Sequence, residues 1–493
     1  MPEPHSDTST IRDALVPALR GILPAHAVLT TEEELRPYEC DGLSAYHRLP
    51  LIVVMPETIE QVRAVMQACY EQKVPVVARG AGTGLSGGAL PIDNGVLLSL
   101  AKFNRILEID PINRTARVEP GVRNLAISEA VAPHGLFYAP DPSSQIACTI
   151  GGNVAENSGG VHCLKYGLTV HNVVQVKLLT IDGETLTLGG SGLDAPGYDL
   201  LALMNGSEGM LGVITEIKVR LLPRPQETRV IMAAFDDIAR AGEAVGNIIA
   251  AGIIPAGLEM MDNPAIRAAE AFVHAGYPED AAAILLCELD GTVEEVNEQT
   301  SQVETLLRTA GATTLRTAHN PDEQLLLWKG RKAAFPAVGR LSPDYYCMDG
   351  TIPRKYLPQV LTRITEMSEE YGLAVANVFH AGDGNLHPLI MYDANQPGEL
   401  ERTEEFGGKI LELCVEVGGT ITGEHGVGIE KINQMCVQFQ PVELEYFHAV
   451  KESFDPEGLL NPGKAVPTLH RCAEFGAMHV HHGQLPHPEL ERF

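Results

Sequence analysis

The sequence has no C-x-x-C pair among its nine cysteines, and no apolar run approaches the length of a membrane span. The cysteines are odd in number and scattered, Cys148 and Cys163 being the closest pair. That spacing excludes a disulfide framework, a zinc ribbon and a ferredoxin-type cluster, and reads as buried thiols in a reducing cytoplasm. Basic residues are also scarce: 36 Lys and Arg stand against 64 Asp and Glu, a formal charge of −28. Such a surface repels polyphosphates and anionic bilayers, so nucleic acid is excluded as a partner, whereas a small anion held by a local basic cluster is not. The opening "MPEPHSDTST" lacks the basic and apolar regions of a signal peptide. At 493 residues, two or three domains are expected.

Residues 1–48 read as mostly helical, with Ile11, Leu15, Leu19 and Leu23 at near-helical spacing. From Leu51 short β-type runs take over ("LIVVM", "VPVVAR", "GVLLSL", "TARVEPG"), with helices predicted over 58–72 and 122–132. Asp182-Gly183 between alternating apolar runs predicts a hairpin over 173–188, and "GVITEIKVRLLP" a further strand. "PRPQ" at 223–226 marks a domain boundary. Beyond it helices (236–251, 293–309, 356–371, 441–454) alternate with strands (282–289, 374–379). The expected division is a helical segment 1–48, a domain 49–225, a second domain 226–455 that is α+β or α/β, a return 456–470 and an irregular tail 471–493. His479, His481, His482 and His487 in that tail read as a frayed terminus before a metal site.

"RGAGTGLSGGALP" carries Gly82, Gly84 and Gly87 as G-x-G-x-x-G directly after an apolar strand. A Rossmann loop would open a helix here. Pro91, the Asn94-Gly95 turn signal and an immediate new strand leave no room for one. What remains is a loop whose successive N–H groups can converge on a phosphate, with Arg79 adding charge. "APDPSSQIACTIGGNVAENSGG" (139–160) and "GSEGMLGVIT" (206–215) are two more loops of this kind. Three in one domain indicate a large cofactor held mostly by backbone.

"NVFHAGDGNLHPLI" sets His380 and His387 on either side of an Asp383-Gly384 reversal. Such a hairpin can aim two imidazoles at one metal, and two turn histidines bonded to backbone fit the segment equally well. "GGTITGEHGVGI" adds Glu424 and His425 in a glycine context that implies close backbone approach. Two nitrogens and a carboxylate make a three-ligand site with open positions.

The three glycine loops, in this order, with the closing "NPGK" (461–464), resemble the FAD-dependent vanillyl-alcohol oxidase and para-cresol methylhydroxylase superfamily. Within it the chain is similar to the flavin subunits of bacterial glycolate oxidases and to the D-lactate and D-2-hydroxyglutarate dehydrogenases, over roughly residues 35–464. The resemblance implies an α+β fold: a two-part FAD-binding domain plus a substrate-binding cap whose C-terminus returns to the FAD domain. It implies that Arg79, Gly80, Ala81, Gly82, Thr83, Gly84 and Gly87 hold the pyrophosphate. Pro140, Asp141, Ser144, Thr149, Gly152, Asn153, Ser158 and Gly160 line the isoalloxazine side, with main-chain contacts from Ile214 and closure by Asn461. Some members attach FAD through a histidine near the first loop; none lies within 79–91, so FAD is expected to be non-covalent.

By the same resemblance, H-x-G-D-G-N-L-H and G-E-H-G supply metal ligands His380, His387 and Glu424, general base His425 and substrate contact Asn385. Zinc suits that donor set, with manganese or iron as alternatives. Arg331 matches an arginine that clamps the substrate carboxylate. Phe335 and Cys347 stand where some relatives have a hydroxyl residue and a lysine, which favours a short acid such as glycolate or lactate over 2-hydroxyglutarate. The implied activity is oxidation of a small 2-hydroxy acid with FAD as acceptor. Electrons then pass to a second flavin-binding subunit and an iron–sulfur subunit, which hold the cytoplasmic chain at the inner face of the membrane. A zinc hydrolase would leave the glycine loops without a role, and a non-catalytic flavin electron carrier would leave the histidines without one.

Overall fold

The computed structural model describes residues 8–192 and 196–468. The histidine-bearing tail lies outside them. The N-terminal helix is Thr8–Ile22, its apolar repeat burying Leu15 and Leu19. The helical expectation for residues 23–48 gives way to single turns and a two-residue strand, Val28–Leu29, because Pro24 interrupts the pattern.

The first half contains two larger sheets. A four-stranded sheet runs in the order Val28–Leu29, Ile52–Val54, Val96–Ser99, Val76–Arg79, its last three strands parallel. Helix Ile59–Glu71, started by a Thr58–Gln61 capping box, packs on it through Val62, Val65, Met66 and Cys69. A five-stranded antiparallel sheet follows, and the expected hairpin forms within it as Val173–Leu179 and Thr185–Gly189. No helix lies between Val76–Arg79 and Val96–Ser99, so the glycine loop itself makes the crossover between parallel strands. The second glycine segment contains a short helix, Ile150–Glu156, where the sequence suggests only loop. Gly151 lies so close to Pro120 that a side chain would not fit, and this tertiary packing overrides the poor helix propensity of paired glycines.

The second half is built on a seven-stranded antiparallel sheet running from Thr314–Thr317 at one edge to Asp344–Cys347 at the other. Strand Glu227–Phe235 sends Ile231, Ala233 and Phe235 into one core and Val230, Met232 and Ala234 into another. Helices Ile238–Ala250, Val293–Thr309, Leu357–Tyr371 and Glu399–Glu416 cover the first face. Asn263–Val273 and Pro321–Lys332 cover the second. The continuous apolar runs of these strands follow from burial on both sides.

The chain then returns to the first half. Asn461 N–H donates to Val76 O at 2.9 Å, and Leu459 O accepts from Val76 N–H at 2.8 Å. Seven of the described cysteines are free thiols.

Candidate active site

A cavity of about 470 Å³ lies between the two halves. Residues 78–85 of the first glycine loop form one wall. None of the backbone N–H groups of residues 81–88 donates to a described residue. Arg79 is 9% exposed, and the one hydrogen bond of its guanidinium among the described residues runs from Nη1 to Tyr38 O at 3.1 Å. Burial lowers its pKa, the mark of a poorly compensated cation. Thr149 Oγ1, buried in the facing segment, has no partner either. A row of unspent amides beside a guanidinium without an ion pair fits a pyrophosphate, since converging N–H groups form an anion-binding concavity.

Arg79, Gly80, Ala81, Gly82, Thr83, Gly84, Ser144, Thr149, Gly152, Asn153, Ser158 and Ile214 all reach the cavity wall. Gly87, Pro140, Asp141, Gly160 and Asn461 do not, and each has a supporting task instead. Gly87, at φ +76°, packs against Ile429, and Pro140 O accepts from Asn124 Nδ2 at 3.0 Å. Asp141 pairs with His162 at 3.0 Å, and Gly160 backs onto the Asp141 main chain. Asn461 donates through Nδ2 to Gly88 O and Glu208 O, at 2.9 and 2.6 Å, tying the returning chain to two glycine loops.

On the opposite wall, strands Val375–Phe379 and Pro388–Tyr392 pair as a hairpin that brings His380 and His387 together, their rings 5.1 Å apart. Glu424 Oε1 lies 3.2 Å from His380 Nε2 and 2.9 Å from His387 Nε2. His380 Nδ1 faces both oxygens of Glu259, at 2.9 and 3.0 Å, and His387 Nδ1 faces Met348 O at 3.4 Å. With each Nδ1 turned to an acceptor, both Nε2 atoms and Glu424 Oε1 converge on one point, an arrangement that a proton on an imidazole or a bound metal ion reconciles. That demand appears in the titration of His380: burial lowers its pKa, but Glu259 and Glu424 outweigh burial and raise it well above the usual value. The spacing fits a divalent ion bound about 2.0–2.2 Å from each donor. A second triad, Cys347, His387 and His425, is as compact, but burial pushes the Cys347 thiol up, which keeps it a protonated, poor ligand.

His425 stacks on His387 with ring centroids 4.9 Å apart, and burial lowers its pKa to about 4 against the raising pull of Asp349. That direction leaves the ring uncharged in the neutral range. Asn385 packs against Gly423 behind the cavity wall, its Oδ1 buried without a hydrogen-bond partner. Arg331, 1% exposed at the end of helix Pro321–Lys332, does reach the cavity. Its Nη2 lies 2.6 Å from Glu259 Oε2, yet Nε and Nη2 make no well-aligned hydrogen bond. Phe335 completes the wall, edge-on to His387 at 6.1 Å and to Tyr345 at 6.4 Å.

Three carboxylates escaped the sequence reading. Glu259 backs His380 and Arg331. Asp349 accepts from the N–H groups of Gly423, Glu424 and His425 at 3.0, 3.2 and 2.8 Å, and from Lys431 Nζ at 3.1 Å. Glu208 accepts from the N–H groups of Val427 and Gly428, both at 2.7 Å, so the third glycine loop holds the G-E-H-G loop. For Glu259 and Asp349 the available signal was an acid inside or directly after an apolar strand, as in "GLEMMD" and "YYCMDG".

Residues 50–189 match the FAD binding domain family, and residues 224–465 match the FAD linked oxidases, C-terminal domain. The chain is 67% identical over 482 residues to the glycolate oxidase subunit GlcD of Escherichia coli strain K12, covering 98% of this chain and 97% of that protein. It is 33% identical over 450 residues to a D-lactate dehydrogenase of Anaerostipes hadrus, covering 89% and 94%. Substrate-bound p-cresol methylhydroxylase shares the fold, with TM-score 0.79 at 20% identity over 95% of this chain and 99% of that one. The fold is thus the α+β arrangement of an FAD-binding domain with a cap, and the chain belongs to the FAD-linked oxidase family in which the GlcD subunits and these D-lactate dehydrogenases stand.

Proposed function

We propose that this chain oxidises a small 2-hydroxy acid, glycolate foremost, to the 2-oxo acid, with FAD held non-covalently as the acceptor. One observation carries the reading: a single cavity is walled on one side by unspent loop amides and on the other by His380, His387, Glu424, His425 and Arg331. Residues 49–225 serve the cofactor, 226–455 the substrate, and 456–470 close the first part.

FAD, when bound, supplies the hydride acceptor. His380, His387 and Glu424 would hold a divalent ion, zinc foremost and manganese or iron as alternatives, which would supply Lewis acidity. Arg331 binds the carboxylate of the acid with the part of its guanidinium that reaches the cavity wall. That contact fixes one end of the substrate and aims its α-carbon across the cavity. His425 takes the hydroxyl proton at Nε2, because Nδ1 is buried and Nε2 is the nitrogen on the Glu424 side, 4.0 Å from Oε1. Its low pKa leaves it unprotonated and ready to accept, and the negative charge of an arriving carboxylate raises its basicity. Phe335 narrows the site and excludes water, which suits a two- or three-carbon acid. Asn385 positions the Gly423–Glu424 turn from behind.

The 67% identical relative is named a subunit, and this chain has no iron–sulfur motif of its own. We infer that electrons leave through a second flavin-binding subunit and an iron–sulfur subunit. These also hold this cytoplasmic chain at the inner membrane face; no described helix is long and apolar enough to cross a membrane.

Anaerobic mixing of the purified protein with glycolate, D-lactate, L-lactate and D-2-hydroxyglutarate tests the reading through bleaching of the flavin absorbance. Glycolate should bleach it fastest. Fastest bleaching by D-lactate would favour the second reading, which the 33% identical relative supports. No bleaching by any of the four would remove the oxidase reading.

A further inference from the structure

Glu259 lies 1% exposed on strand Gly257–Asp262 and serves two functional groups at once. Its strand pairs with Val375–Phe379 in a register that matches Met260 with Phe379, so one further step sets Glu259 opposite His380. The carboxylate meets His380 Nδ1 at 2.9 and 3.0 Å, and Oε2 lies 2.6 Å from Arg331 Nη2. No other carboxylate among the described residues pairs with Arg331. Holding Nδ1–H of His380 leaves its Nε2 as a lone pair facing Glu424 and His387. Pairing the Nη2 edge of the guanidinium with Glu259 neutralises a buried cation and leaves Nε without a partner.

We propose that Glu259 is a positioning residue that couples the two ends of the site: it sets the tautomer of the metal ligand His380 and anchors the carboxylate clamp Arg331. The inference rests on the metal and clamp roles proposed above and names the group through which they act together. A residue holding only one of them would affect metal retention or substrate affinity, not both. Gln in its place keeps an acceptor oxygen for one partner but loses the charge and turns an amide N–H₂ towards the other.

The test uses Glu259→Gln holoprotein beside wild type, with FAD content as the control for folding. Divalent metal content is measured after gel filtration, and KM for glycolate is measured with zinc in excess. Metal affinity should fall by about 10–100-fold, the usual cost of removing such a partner. KM should rise by about tenfold or more even with the metal site filled, while FAD stays bound, because a carboxylate clamp held out of line loses at least one charge-assisted hydrogen bond. If Gln destabilises the chain and FAD is lost, Glu259→Asp, which keeps the charge and shortens the reach, should show the same paired defect with FAD retained. Wild-type values of both quantities in a variant that retains FAD overturn the proposal, as does loss of only one of them. Wild-type protein that binds no divalent ion is a separate result: it removes the metal reading, and this coupling with it.

Discussion

Replacing Asp349 by Asn should cost more than replacing any ligand of the site, because this carboxylate organises the loop that carries Glu424 and His425 from behind. Its side chain is fully buried and accepts from the N–H groups of Gly423, Glu424 and His425, from Thr422 Oγ1 at 2.5 Å and from Lys431 Nζ. Burial pushes its carboxyl pKa up, but Lys431, His425 and His387 outweigh burial and hold it well below the carboxylate range. Asn keeps the shape, discards the charge and turns N–H₂ towards groups that are themselves donors. Breaking a buried ion pair from one side costs about 3–5 kcal/mol, and the Lys431 ammonium is then left with Glu430 alone, whose Oε2 lies 3.5 Å away. Urea unfolding of the holoprotein, followed by flavin fluorescence and circular dichroism, should show a loss of that size. A displaced G-E-H-G loop should also slow flavin reduction by about 100-fold, the penalty for a misplacement of about 1 Å. Adding Lys431→Met should recover part of the stability, because the buried cation that has lost its nearer partner is then gone. The depressed pKa fixes the sign with pH. The contribution of Asp349 is complete above the unfolded carboxyl value of about 3.9 and is lost only as acid protonates the folded group below it. A change under about 0.5 kcal/mol, the range of an ordinary surface substitution, would refute the reasoning.

His425→Ala should keep FAD bound and lower the rate of flavin reduction by about 10²–10⁴-fold; rapid bleaching in this variant would remove His425 as the base. Dialysis against a chelator should abolish reduction by glycolate, and added zinc, manganese or iron should restore it; full activity in metal-free protein would mean that His380, His387 and Glu424 hold only a proton. Acid precipitation should leave the yellow colour in solution, and a coloured pellet would establish a covalent flavin. Phe335→Ala removes the ring beside His387 and should raise KM for glycolate while admitting longer 2-hydroxy acids; an unchanged substrate range would relieve Phe335 of its selective role.

Short-range signals were legible in the sequence wherever the chain itself supplied the constraint. Pro91 and Asn94-Gly95 forbade a Rossmann helix, and the structure has none there. The Asp182-Gly183 turn placed a hairpin, and the Thr58 cap started a helix at Ile59. Local reading failed where distant packing decided the outcome. Helix Ile150–Glu156 forms through paired glycines because Pro120 fills the space a side chain would need, and nothing near Gly151 announces Pro120.

The same distinction separates the residues that point into the site from those that aim them. His380, His387, Glu424 and His425 advertise themselves through turns and glycines, since a group that must face a cavity needs an irregular backbone behind it. Glu259 and Asp349 sit in or beside ordinary strands, 121 residues from His380 and 75 residues from Glu424, and their meaning depends on strand order. A sheet register decides that the residue after Phe379 faces the one before Met260, and no periodicity in either strand contains that fact. Both carboxylates are also buried, so each must find cationic or N–H partners or lose its charge. A lone acid within an apolar strand is therefore a sequence signal that some distant cation or donor set exists, and here those partners are the clamp, a ligand and the loop that carries the base.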